Sequence, residues 1–283
     1  MSTPPVTLVH ACLRDGTGGS PTAVVLEERP LSDTERRRVA AEYGTSHAVY
    51  VRVRPGAPEA DLRFFTAEEE LPACGHGTVA ALAFLAARAG TGDGEPYRVT
   101  LHTARRVFDG RAERHGDRLT AAFPAGPVEL REATGAERSS VLPALGLGPD
   151  AAGPDLRVAG VGRERILVPV ADRAALAALA PDQDRLRAAC DRFGLLGAYV
   201  YSPPSDRGSL AARMFAPSIG VPEDIANANS TACLAAHLAT RGVTEIAVDM
   251  GDALGSPATV TASCPDPGRP GVHVGGAARL AAG

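Results

Sequence analysis

Two stretches, Ala48-Val49-Tyr50-Val51 and Arg63-Phe64-Phe65-Thr66, recur in type about 150 residues later as Ala198-Tyr199-Val200-Tyr201 and Arg213-Met214-Phe215-Ala216. A period that long exceeds any solenoid repeat and points to two related lobes. Pro72 matches Pro222, and after a shift of two residues 79–90 corresponds to 231–242. Apolar runs at 47–53 and 61–66, and again at 197–202 and 210–216, predict strands. The Ala- and Leu-rich stretches 76–89 and 228–241 predict buried helices. Ser32-Asp33-Thr34-Glu35 is a capping box opening a helix that runs to about Tyr43, with a symmetric counterpart expected at 182–193. The Gly/Pro-rich stretch 124–155 contains the expected lobe junction, and a loop near 265–271 precedes a last short strand, Val272-His273-Val274. The expected fold is α+β: two pseudo-symmetric lobes, residues 1–126 and 127–283, each a mixed sheet wrapped around a central helix, with a cleft between them. The last strand, about 271–276, is expected to pack back on the first lobe.

Composition narrows the chemistry. All 29 basic residues among the 283 are arginine, and there is neither lysine nor tryptophan. A chain without lysine forms no Schiff base to pyridoxal phosphate or a carbonyl substrate, carries no P-loop lysine and tethers no biotin or lipoate. A net charge of -4 argues against a nucleic-acid partner, and the cluster Arg36 to Arg38 reads as a solvated helix face. No apolar run approaches the roughly 20 residues that span a bilayer, and MSTPPVTLVHACLRDG lacks the pattern of a signal peptide, so a cytoplasmic protein with no membrane partner is expected. The five cysteines, Cys12, Cys74, Cys190, Cys233 and Cys264, are scattered without a C-x-x-C pair, which predicts free thiols and no metal. Gly146-Leu147-Gly148 runs into Pro149-Asp150, a loop and not a dinucleotide fingerprint.

The most polar sequence of each repeat copy lies where the chain enters the helix: Pro72-Ala73-Cys74-Gly75-His76-Gly77-Thr78 and Pro222-Glu223-Asp224-Ile225-Ala226-Asn227-Ala228-Asn229-Ser230. Helix N-termini present unpaired amides and a positive partial charge, so two of them facing a cleft would hold a carboxylate or enolate. The chain's only asparagines, Asn227 and Asn229, both lie in the second loop, where a helix cap is the expected role for one of them. Cys74 sits at a helix N-terminus beside glycine and histidine, surroundings that lower a thiol pKa. His76 is either an acid or base near neutrality or a donor to a substrate carboxylate.

Taken together, Arg63-Phe64-Phe65-Thr66 and Glu70-Leu71-Pro72-Ala73-Cys74-Gly75-His76-Gly77-Thr78 resemble the phenazine-biosynthesis isomerase (PhzF-like) family, whose pattern is close to R-I-F-T-P-x-x-E-L-P-F-C-G-H-A-T. Gly19 to Val25 looks like the family's G-N-P-L-A-V-V, Arg213 to Asp224 like its R-x-F-x-P-x-x-G-x-x-E-D, and Gly271 to Ala277 like its closing V-x-V-G-G-x-A. The resemblance spans nearly the whole chain in order. It implies the diaminopimelate epimerase-like fold, with the site in the cleft between lobes, and proton transfer without a cofactor, commonly in a homodimer. Racemases of that wider fold use two cysteines; here Cys74 is present and Asp224 is taken as its counterpart, so a two-thiol racemase would have to draw in Cys233.

The departures matter. The family segment N-L-S-E-T-A-F, whose glutamate is the proton-transferring base, stands here as Gly44-Thr45-Ser46-His47-Ala48-Val49-Tyr50, so His47 replaces the glutamate. E-D-P-A-T-G-S-A becomes Glu223 to Ser230, with Ala228 for the glycine. The expectation is an isomerase moving a proton and double bond in a small unsaturated carboxylic or amino acid. His47, His76, Asp224 and Cys74 would carry the chemistry. Ser20, Gly75, Gly77, Thr78, Ala226, Asn227, Ala228 and Asn229 would hold the substrate. By the resemblance, secondary-metabolism members act on dienes of small amino-acid-derived acids, including precursors of alkylproline units in antibiotics. Two alternatives stand: a family member that binds a metabolite without turning it over, and a Cys74-dependent racemase or epimerase.

Overall fold

A computed structural model describes residues 5–264 and 271–281, and the chain divides into two compact units, residues 1–124 with 275–283, and residues 125–274. The 265–271 loop falls almost wholly outside the described residues.

In the first unit, β1 (Val6–Leu13) pairs antiparallel with β2 (Ser20–Leu26), and α1 (Asp33–Glu42) carries the chain over to β3 (Ala48–Val53), parallel to β2. β3 turns back into β4 (Glu59–Phe65), which pairs with the short β5 (Glu70–Leu71). Then comes α2 (Gly75–Arg88), followed by β6 (Pro96–His102), β7 (Val107–His115) and β8 (Arg118–Gly126). Every residue of α2 from Gly75 to Ala86 is buried, and the helix packs against β1, β2, β3, β4 and β7. A helix apolar on all sides is stable only inside a wrapping sheet, which is why this Ala/Leu-rich segment sits at the centre. α1 lies outside, with the Ser32–Glu35 capping box formed in both directions.

The second unit opens with β9 (Glu129–Glu132), α3 (Gly135–Ala144), β10 (Arg157–Val161) and β11 (Arg163–Pro169). It continues with α4 (Arg173–Ala177), α5 (Gln183–Phe193), β12 (Ala198–Tyr201), β13 (Ser209–Ala216) and β14 (Val221–Asp224). α6 (Ala228–Ala239), β15 (Glu245–Met250) and β16 (Ala258–Ser263) complete it, and β17 (Val272–Leu280) takes the chain back to pair with β1. α6 is buried as α2 is, against β9, β10, β15 and β16.

The repeat holds at the level of register. Ala48 pairs with Phe65 and Ala198 with Phe215; Tyr50 pairs with Arg63 and Val200 with Arg213. Each copy also builds the same fork. Arg63 donates to Glu70 at 2.7 and 2.6 Å and stacks on Phe65, and Arg213 donates to Glu223 at 2.9 and 2.8 Å and stacks on Phe215.

Two expectations are corrected. The two-residue shift is three where the helices begin: Cys74 caps α2 and Asn227 caps α6, and the Thr78 and Thr231 hydroxyls donate to the carbonyls of these caps at 2.8 and 3.0 Å. Pro72 and Pro222 are therefore out of register, since one follows and the other precedes the paired glutamate. Arg36 is not a solvated residue. It is 6% exposed, donates to Glu27 at 2.5 Å and to Asp33 at 2.7 Å, and lies over the Tyr50 and Phe65 rings. The apolar positions of α1 are too few to seal its inner face, and the guanidinium closes the gap. Within the stretch 124–155, where the sequence reading placed only the lobe junction, α3 also forms, with Thr134 and Glu137 making a second capping box.

Candidate functional site

His47 ends the loop after α1, immediately before β3, and is 4% exposed. The backbone fixes it from two directions: its carbonyl accepts from the Ala23 amide on the neighbouring strand and from the Thr45 hydroxyl at 3.0 Å. Its ring is held at Nδ1, 2.8 Å from Ser46 Oγ. Cys74 and His76 come from the start of α2 and are 6% and 2% exposed. Cys74 Sγ lies 3.5 Å from His76 Nε2, and the His47 and His76 rings meet edge to face with centroids 4.6 Å apart. The helix can bring the thiol this close because residue 77 is glycine. A Cβ there would stand 3.0 Å from Cys74 Sγ, 2.9 Å from Val49 Cγ2 and 3.2 Å from Phe64.

Burial, and after it the charge of a protonated His76, holds the His47 pKa well below the ordinary imidazole value. At neutral pH the ring is therefore uncharged and able to accept a proton. At the N-cap position of α2, the Cys74 side chain makes no capping hydrogen bond to the first-turn amides around Gly75, Gly77 and Thr78.

At α6 the arrangement differs. Asn227 caps the helix, accepting from the Ser230 amide at 2.9 Å, and its Nδ2 donates to Asp224 Oδ2 at 3.0 Å. The capping role expected for one asparagine thus falls to Asn227. By cap position Asn227, not Asp224, is the counterpart of Cys74, and Asn229 is that of His76. Asp224 ends β14 and is 6% exposed. Ala226 and Ala228 flank the cap and are buried. Cys233 lies further along α6, fully buried; Arg165 donates to its sulfur at 2.8 Å, and burial raises its thiol pKa while Arg165 opposes the shift. A thiol so enclosed is a poor partner for substrate.

Structure thus brings His47, Cys74 and His76 together in the first unit, and Asp224 and Asn227 in the second. Ser20 begins β2 with its hydroxyl buried and without a hydrogen-bond partner among the described residues. Arg165, 1% exposed in the second unit, was not anticipated; in the sequence it is the last of the charged run Arg163-Glu164-Arg165 that opens β11, next to the apolar Ile166-Leu167-Val168. The absence of a C-x-x-C pair gave no warning that three potential metal ligands converge: atoms of His47, Cys74 and His76 all lie within 4.8 Å of one another. No described helix is long and apolar enough to cross a membrane.

A family model described as phenazine biosynthesis-like protein matches residues 9–282. The chain is 28% identical over 228 residues to a protein of Escherichia coli (strain K12) named uncharacterized isomerase YddE, covering 80% of this chain and 75% of that one. It is 29% identical over 227 residues to the trans-2,3-dihydro-3-hydroxyanthranilate isomerase of Pseudomonas chlororaphis, covering 80% and 77%. Among solved structures, a predicted epimerase from Pseudomonas aeruginosa superposes with a TM-score of 0.82 at 25% identity, covering 98% of this chain and 96% of that one. With a family match over nearly its whole length and relatives named as isomerases, the chain belongs to the family of phenazine biosynthesis-like proteins and is an isomerase.

Proposed function

We propose that this isomerase shifts a proton, and with it a double bond, in a small unsaturated carboxylic or amino acid, without a cofactor and with His47 as the base. The observation that carries the reading is a buried, neutral imidazole, pinned at Nδ1 and set edge to face against His76, at the position where the family resemblance has its glutamate. Neutral His47 takes a proton from a carbon activated by conjugation to the carboxylate or an imine. The electron pair left behind spreads into the π system, and the negative charge is held by the first-turn amides of α2, to which the Cys74 side chain makes no capping bond. The resulting imidazolium is buried and repelled by any charge on His76, so it is a strong acid that returns the proton at the far end of the π system. One C–H bond breaks, another forms, and the double bond moves with no net change in composition. His76 orients or protonates the substrate, and the Ser20 hydroxyl contributes a binding contact. A diene on an amino-acid-derived acid, as in precursors of alkylproline units, fits this chemistry.

The test is incubation with small unsaturated carboxylic and amino acids in D₂O, followed by NMR. The expected result is migration of the double bond, with isotope changes confined to the carbons that lose and gain the proton. Ligand-induced stabilisation without any product would contradict it in favour of a binding protein. Exchange at a single α-carbon, abolished by alkylating Cys74, would contradict it in favour of a racemase.

A further inference from the structure

We propose that His47, Cys74 and His76 also form a three-ligand site for a soft divalent cation of the zinc class, and that its occupation excludes proton transfer. Two imidazoles and a thiolate are the donor types that zinc takes when three protein ligands leave a fourth position open. Bonds of about 2.05 Å to nitrogen and 2.3 Å to sulfur at the tetrahedral angle separate the two donor atoms by about 3.6 Å. Cys74 Sγ and His76 Nε2 already stand 3.5 Å apart. All three donor atoms lie within 4.8 Å of one another, within reach of a single shared ion. Ser46 Oγ engages His47 Nδ1 at 2.8 Å, which leaves Nε2 as the ring atom to coordinate and supplies the outer hydrogen bond that metal-binding histidines characteristically make. Gly77 leaves the thiol room, and burial keeps competing water away.

Binding displaces the Cys74 proton into solvent and forms a metal–sulfur and two metal–nitrogen bonds, with no change of oxidation state. An imidazole whose lone pair is given to a metal no longer accepts a proton from carbon. That exclusion rests on the isomerase reading above; metal binding itself does not.

The experiment titrates chelator-treated full-length protein with Co²⁺, then displaces it with Zn²⁺. The expected result is one ion per chain, a thiolate-to-cobalt charge-transfer band in the near ultraviolet, and turnover lost in proportion to occupancy and restored by chelator. Cys74→Ser should abolish the band, and Cys74→Ser and His47→Asn should each weaken binding at least tenfold. Cys233→Ser should leave it unchanged, and thermal melts of each variant identify any loss due to misfolding. Absence of saturable binding, or a band that survives in folded Cys74→Ser, would overturn the site and leave the assignment of His47 as base untouched. Full occupancy with undiminished turnover would overturn the exclusion and the assignment of His47 as base together.

Discussion

At the scale of single residues, the proposed chemistry depends on His47 standing where the family resemblance has its glutamate. A glutamate in this enclosure would need a partner to stay ionised, whereas imidazole is a base in its uncharged form and burial favours that form. Cys74 stands apart from this assignment: its sulfur contacts His76, so Cys74→Ala should lower turnover less than His47→Ala does, with KM and kcat compared for both. Gly77→Ala pits two effects against each other. Helix propensity favours alanine by up to about 1 kcal/mol, but the new methyl meets Val49, Cys74 and Phe64 in a packed core, where overpacking costs about 1–3 kcal/mol. We expect net destabilisation on urea unfolding together with reduced turnover; a more stable variant would mean that the thiol moves aside freely.

At the scale of elements, the repeated Arg–Glu fork separates location from chemistry. The Arg63–Glu70 side chains are 36% and 34% exposed, and those of Arg213 and Glu223 are 13% and 11% exposed. Glu70→Ala should cost at most about 1 kcal/mol. Glu223→Ala leaves an enclosed guanidinium whose acceptors among the described residues are the Leu176 and Leu179 carbonyls, and should cost about 3 kcal/mol. Equal losses in denaturant unfolding would contradict the contrast. Much at this scale was legible: the strands at β3, β4, β12 and β13, the two buried helices and the first capping box follow from periodicity and cap chemistry. The α3 helix was legible in principle, because Thr134 and Glu137 repeat the Ser32–Glu35 pattern, but glycine and proline around it dominate a compositional reading. The three-residue register of the helix starts was not legible, since Pro72 and Pro222 suggest a different alignment that only the caps and hydroxyl bonds correct. Nor was the meeting of His47 with His76, 29 positions apart in the chain, because it depends on how the loop before β3 and the N-terminus of α2 are placed in space.

At the scale of the whole molecule, buried neutral histidines tie stability to pH. His237 is pushed down to about 4, by burial first and by Arg241 and Arg157 after it, against about 6.5 in an unfolded chain. The unfolded state therefore gains a proton that the folded state refuses, and stability present above pH 6.5 is lost as pH falls toward 4, at no more than about 1.4 kcal/mol per pH unit. His47 is shifted in the same direction and adds to the slope. Urea midpoints at pH 7.5, 6 and 5 should fall in that order, with a smaller fall in His237→Gln; constant midpoints would show that neither ring is held neutral. The same molecule-wide composition, with no lysine at all, leaves helix-end amides, histidine, asparagine and arginine as the groups available to hold an anion.

The central claim, that His47 moves the proton, is tested most directly by measuring kcat/KM for double-bond migration in wild-type protein, His47→Ala and His47→Glu. The account predicts a loss of roughly 10² to 10⁴ in His47→Ala, the range supplied by a positioned base, with turnover partly recovered when glutamate provides another base at the same position. Near-wild-type turnover in a folded His47→Ala variant would contradict it.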